Sequence, residues 1–71
     1  MKLPRNLSGI KVIRALQHMG FEVVRQKGSH VRLIRSSRKV TVPIHASLAV
    51  GTLSSILDQS GISIEDLITH L

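Results

Sequence analysis

The sequence predicts an α+β fold of order α-β-β-β-α, with a three-stranded antiparallel sheet and helices packed on one face of it. Three observations indicate this. Apolar residues recur at helical spacing towards both ends of the chain, residues 21–43 are rich in strand formers, and Gly28-Ser29 and Ser36-Ser37 divide that stretch as turn signals. Its 71 residues are expected to form one domain over 1–71, near the lower limit for a single core.

The first helix is predicted to follow Ser8, a good N-cap residue, and to end at Gly20. Before it, residues 1–7 are a short lead-in in which Pro4 breaks regular structure. The apolar residues expected on the inner face are Ile10, Val12, Ile13, Leu16 and Met19. The outer face is expected to carry Lys11, Arg14, Gln17 and His18.

The second and third strands are predicted to form a hairpin around Ser36-Ser37. A two-residue loop pairs Arg35 with Arg38, Leu33 with Val40, and Val31 with Val42. The branched apolar residues then share one face, as a half-buried sheet requires. The other face carries His30, Arg32, Ile34, Lys39 and Thr41.

The first strand is predicted within residues 21–27, joined to the second by Gly28-Ser29. The same arithmetic pairs Lys27 with His30, Arg25 with Arg32, Val24 with Leu33, and Glu22 with Arg35. Val24 is therefore expected on the core side. Arg25 and Arg32 become like-charged neighbours on the open side, which costs some stability unless an anion lies between them.

Two further helices are predicted after a connection over 44–49. The second helix runs from about Val50 to Gln59 and ends at Gly61; its buried residues are Leu53, Ile56 and Leu57. Ser63 and Asp66 form a capping-box-like start for a short last helix, whose apolar residues are Ile64, Leu67, Ile68 and Leu71. Both main helices are expected to cover the same apolar face of the sheet.

Composition limits the classes of partner. Ten Lys and Arg against four Asp and Glu give a net charge of +6, which favours a phosphate backbone or an acidic protein. A single aromatic residue argues against RNA modules that read bases by stacking. Without cysteine there is no disulfide or thiolate metal site, and four dispersed histidines predict no metal site and no cofactor.

Nothing in the chain predicts a membrane segment. No apolar run approaches the roughly 20 residues of a membrane span, and nothing resembles a signal peptide. The expected location is the cytoplasm.

Four segments in order resemble the HicA toxin family. After a leading helix they are GFEVVRQKGSH (20–30), TVPIH (41–45), GTLSSIL (51–57) and GIS (61–63). The resemblance implies a fold like the double-stranded-RNA-binding domain, and a toxin that cleaves RNA without a metal. It places the key histidine of the family in the Gly-Ser-His motif, at His30. It also implies a HicB-type antitoxin that covers the active surface.

His30 is the predicted catalytic residue. Cleaving RNA requires one oxygen to lose a proton and another to gain one, and an imidazole suits both tasks near neutral pH. Arg25, Lys27 and Arg32 are expected beside it, where their charges hold the scissile phosphate. The alternative is a surface histidine within a basic patch. His45 leaves the neighbouring strand near the same end of the sheet, and the roles of second acid/base, phosphate contact and loop cap are all open for it.

Further candidates for RNA binding are basic residues and one hydroxyl. The predicted set is Arg25, Lys27, Ser29, Arg32, Lys39, Lys11 and Arg14. For Ser29 a structural role in the turn is favoured over phosphate binding. For each cation taken singly, ordinary solubilising charge is the better explanation, and only their number favours an RNA path.

The leading functional hypothesis is the toxin of a type II toxin–antitoxin system, a metal-independent endoribonuclease acting on mRNA. A non-catalytic RNA-binding module using the same basic face is the second hypothesis. A third is that the basic face docks an acidic partner. Both a homodimer and a hetero-oligomer with the antitoxin are compatible with a chain of this size.

Overall fold

The structure, a computed structural model, describes residues 6–71. Within them the elements are α1 (Gly9–His18), β1 (Glu22–Lys27), β2 (His30–Arg35), β3 (Arg38–Pro43), α2 (Val50–Ser60) and α3 (Ile64–Thr69). The strands form one antiparallel sheet of order β1-β2-β3. The predicted α+β fold, like that of the double-stranded-RNA-binding domain, is confirmed. The predicted lead-in with Pro4 falls mainly on residues 1–5 and lies outside the described residues.

Helix α1 begins at the predicted residue, but the set of side chains that it buries differs slightly from the predicted set. The Ser8 hydroxyl accepts a hydrogen bond from the Lys11 backbone N–H at 3.1 Å, which caps the helix. Its buried residues are Gly9, Val12, Ile13, Ala15 and Leu16. Ile10 was expected inside but is 40% exposed. The reason is the close approach of Gly9 to Pro43 of β3, which turns the next residue outward.

The β2–β3 hairpin has the predicted register. Val31 pairs with Val42, Leu33 with Val40, and the two-residue turn at Ser36-Ser37 joins Arg35 to Arg38. All four apolar partners are buried. Alternation of apolar and polar residues on both strands therefore determined which face of the hairpin meets the helices.

The predicted β1–β2 register is right near the turn and wrong beyond it. A bulge between Val23 and Arg25 leaves Val24 as an extra residue, so that Val23 pairs with Leu33 and Glu22 with Ile34. Val24 is 51% exposed and does not join the core, contrary to the prediction. The residues of β1 are exposed throughout, since the helices pack mainly on β3.

Helices α2 and α3 complete the core as predicted in outline. Leu53 and Ile56 are buried, whereas Leu57 is only partly buried and Ser60 takes the additional inner position. Gly61 ends α2 in the left-handed conformation, with φ +70°. Of the four apolar residues predicted for the last helix, only Leu67 is fully buried, and Ile64 packs against the core. The other two are exposed, namely Ile68 and Leu71, and Leu71 lies beyond the end of α3.

Helix α2 also holds the outer edge of the sheet. The Gln59 side-chain oxygen accepts a hydrogen bond from the Thr41 backbone N–H at 3.1 Å, and the Gln59 amide nitrogen donates to the Ser55 hydroxyl at 2.9 Å. The Thr41 N–H, which β2 does not use, therefore has a hydrogen-bond acceptor in the Gln59 side chain.

Candidate functional site

One end of the sheet brings together three parts of the chain. Gly28 opens the β1–β2 turn with φ +59°, a conformation that glycine adopts without strain. The Ile44 N–H donates to the Ser29 carbonyl at 2.6 Å, which continues the β2–β3 ladder by one residue beyond Pro43. The Gly9 N–H then donates to the His45 carbonyl at 2.9 Å. The turn, His45 and the start of α1 therefore meet at this end.

The open face of the sheet carries a shallow depression beside this turn. It has a volume of about 610 Å³ and is lined by Arg25, Lys27, Gly28, Ser29, His30, Arg32 and Thr41. Five of the predicted site residues, including His30, thus lie on one surface. We call this surface the sheet depression.

Strand pairing explains why these side chains converge. Lys27 pairs with His30 and Arg25 with Arg32 across β1 and β2, and Arg32 pairs with Thr41 across β2 and β3. Residues that face each other in antiparallel strands project to the same side, with Cβ atoms roughly 5 Å apart. Because the bulge lies beyond Arg25, it leaves the two pairs next to the turn intact.

The sheet depression is electropositive. All four acidic residues of the chain lie in the described part, and none of them lines it. Arg25 and Arg32 face each other directly, and both are exposed. Two like charges at this spacing destabilise each other modestly in water, and an anion between them removes that cost. The geometry favours a ligand with a negatively charged group.

The remaining predicted residues lie elsewhere. Lys39 pairs with Ile34 on the open face but does not line the sheet depression, and His45, two residues beyond the end of β3, does not line it either. Lys11 and Arg14 project from α1, whose buried face packs towards the sheet, so they lie on the opposite side of the molecule. The structure therefore separates the predicted basic residues into two groups.

Thr41 was not singled out from the sequence as a candidate site residue. Its hydroxyl-bearing side chain lines the sheet depression opposite Arg32, and its backbone is held by Gln59. The predicted β2–β3 register already contained the signal, since it placed Thr41 across from Arg32 on the open face.

The arrangement supplies an imidazole among cations and hydroxyls. An imidazole exchanges protons near neutral pH, and guanidinium and ammonium groups bind phosphate oxygens. Within residues 6–71 no three His, Asp or Glu side chains are grouped so that they could hold a metal ion. No helix of that part is long and apolar enough to cross a membrane.

Comparison with known proteins gives one family. A family model described as the HicA toxin of bacterial toxin–antitoxin systems matches residues 9–62, which is more than half of the chain. The matched region runs from the start of α1 to just beyond α2 and includes the whole sheet depression. A search of curated proteins found no match.

Proposed function

The chain belongs to the HicA toxin family of bacterial toxin–antitoxin systems. On this premise we propose that it is an endoribonuclease that cleaves mRNA in the sheet depression. The observation that supports this most is the position of His30, which lies among three cations on a surface that no carboxylate lines. Such a surface attracts a phosphodiester and offers it one group able to move a proton.

In the proposed mechanism Arg25 and Arg32 hold the scissile phosphate between them, with Lys27 beside it. They reach it from both strands of the β1–β2 hairpin, so the phosphate is fixed relative to His30. As the attacking oxygen bonds to phosphorus, negative charge grows on the phosphate oxygens, and the two guanidinium groups stabilise it.

His30 moves the proton in this scheme. As a base it takes the proton from the attacking oxygen, which belongs to the ribose 2′-hydroxyl or to water; as an acid it gives a proton to the leaving oxygen while the phosphorus–oxygen bond breaks. One such group typically contributes about 10²–10⁴-fold to the rate. His45 is the proposed partner for the second transfer or a phosphate contact, since it lies at the same end of the sheet. Ser29 is proposed to hold the turn that carries His30.

The chemistry proposed here uses side chains alone and no metal ion. A chelator is therefore expected to leave cleavage unchanged. An RNA whose 2′-hydroxyls are all methylated separates the two nucleophiles, because water can still attack its phosphates whereas the blocked 2′-oxygen cannot.

We further propose that the antitoxin is of the HicB type and covers the sheet depression. A surface of cations without carboxylates is complementary to an acidic partner. In such a complex the antitoxin competes directly with RNA, so binding of one excludes the other.

The test compares the wild-type chain with His30→Ala after induced expression. Growth and RNA integrity are measured, and purified proteins are incubated with RNA with and without EDTA. We expect arrest and RNA cleavage from the wild type, and neither from His30→Ala. Gln17→Ala, an exposed change on α1, serves as the control and is expected to behave as wild type.

Circular dichroism and thermal unfolding must show that His30→Ala is folded. If the folded variant cleaves RNA as fast as the wild type, His30 is not catalytic. If both arrest growth and bind RNA without cleaving it, the chain is a non-catalytic RNA-binding module that uses the same face.

A further inference from the structure

A second basic depression lies on the helical side of the molecule. It has a volume of about 540 Å³ and lies between α1 and the end of α3; its lining residues are Leu7, Lys11, Arg14, His18, Thr69, His70 and Leu71. It shares no residue with the sheet depression. We call it the helix groove.

The basic residues of α1 form a line along the helix groove. Lys11, Arg14 and His18 are spaced by three and four residues, so they follow one stripe of the helix over about 10 Å. This stripe faces away from the buried residues Val12 and Leu16. A linear array of donors suits a ligand that carries several anionic groups in a row.

The other wall of the helix groove is held in place by α3. The His70 Nδ1 lies 2.7 Å from the Asp66 carbonyl, and since a carbonyl only accepts, Nδ1 carries the proton. The Thr69 hydroxyl donates to the Glu65 carbonyl at 2.9 Å. The contact to Asp66 uses only Nδ1 of the His70 ring and leaves Nε2 available to a ligand.

We infer that the helix groove is a second RNA site, which binds the phosphate backbone of the same strand that enters the sheet depression. This inference rests on the proposed function. Both surfaces combine Lys and Arg with histidine and a hydroxyl, and no carboxylate side chain lines either of them. The likeness in chemical make-up favours one type of ligand for both. The helix groove binds RNA without taking part in the chemistry.

The inference predicts that affinity depends on RNA length. OB-fold grooves bind about 4–16 nucleotides of single strand, and an RNA of about 6 nucleotides is chosen as one that is long enough for the sheet depression alone. The Cα atoms of the described residues extend over 29 × 24 × 17 Å, and an RNA of about 20 nucleotides is long enough to reach both faces. Two linked binding sites raise the overall affinity above that of one, by as much as about 10²–10⁴-fold.

The experiment measures the Kd of fluorescein-labelled RNAs of these two lengths by anisotropy, in a His30→Ala background so that no cleavage interferes. Lys11→Gln/Arg14→Gln is added to remove the two cations of the helix groove while keeping good helix formers. We expect binding of the long RNA to weaken at least about tenfold and binding of the short RNA to stay unchanged. The logarithm of the association constant decreases linearly with the logarithm of the salt concentration. This negative slope should become shallower by about 0.7 for each phosphate that the variant no longer neutralises.

Arg38→Gln removes one positive charge and is the charge-matched control for the single variants Lys11→Gln and Arg14→Gln, because Arg38 lies at the far end of the sheet and lines neither surface. Sedimentation should show one chain per RNA. An equal loss of affinity for both RNA lengths, or for Arg38→Gln, would mean a general charge effect and overturn the second site. If neither length is affected, the groove is not an RNA site and a protein partner becomes the better candidate. If binding depends on RNA length but the wild-type chain, with His30 intact, does not cleave RNA, the proposed function is refuted and the second site still stands.

Discussion

Replacing Gly9 by alanine is expected to separate α1 from the sheet. A Cβ atom at this position overlaps the backbone carbonyl of Pro43 and lies about 3 Å from the Ile44 Cα. Because both of these neighbours are backbone atoms, no side chain can rotate to relieve the overlap. The first turn of α1 has to move away from β3, and the 2.9 Å hydrogen bond from Gly9 N–H to the His45 carbonyl is stretched or broken.

The magnitude follows from three effects. Overpacking at a well-filled site costs about 1–3 kcal/mol, and breaking a backbone hydrogen bond adds about 0.5–1.5 kcal/mol. The higher helix propensity of alanine returns up to about 1 kcal/mol. The free energy of unfolding should therefore fall by about 2 kcal/mol, which lowers the Tm of a domain of this size by roughly 8–16 °C.

The chain supplies a matched control in Gly51, in the first turn of α2. No atom lies within 4 Å of a Cβ built there, so Gly51→Ala keeps the gain in helix propensity without the overlap. Thermal and urea unfolding of the two variants should move in opposite directions from the wild type. If Gly9→Ala is as stable as Gly51→Ala, the tight contact of α1 with β3 is wrong, and so is the explanation given for the exposure of Ile10.

Two further predictions concern stability, each measured as a change in the free energy of unfolding. Leu33→Ala, at a fully buried position, should lower the free energy of unfolding by about 2–5 kcal/mol. Val24→Ala, on the bulge, should lower it by less than about 0.5 kcal/mol. A comparable loss for both variants would mean that Val24 is part of the core. Ala49→Asp should raise the free energy of unfolding by about 0.5–2 kcal/mol, because Ala49 is the N-cap of α2 and its side chain has no hydrogen-bond acceptor. An unchanged free energy of unfolding would contradict the start of α2 at Val50.

The hairpin of β2 and β3 was predictable because its apolar residues alternate without ambiguity on both strands. In β1 the sequence has Val23 and Val24 side by side, and either can occupy the position beside Leu33. Propensity does not distinguish a regular strand from a bulged one at such a pair. The choice depends on how the helices cover the sheet, which is a tertiary effect.

The clustering of Arg25, Lys27, His30 and Arg32 was predictable because all four lie within a few residues of the turn. Register errors accumulate with distance from a turn, and the bulge occurs only after these pairs. The position of Lys11 and Arg14 relative to that cluster was also predictable, because both main helices are expected on the apolar face of the sheet and these two residues on the outer face of the first helix. The number of basic residues in a sequence does not by itself show that they are divided between two surfaces.

The hydrogen bond from Thr41 to Gln59 has a consequence for self-association. An unpaired strand edge is a template for adding a strand from another molecule, and aggregation starts there. On β3 this edge is blocked, since Pro43 has no N–H to offer and Gln59 occupies the N–H of Thr41. On β1 the bulge and the charges of Arg25 and Lys27 interrupt the edge. These features disfavour the addition of a strand from a second molecule at either edge of the sheet.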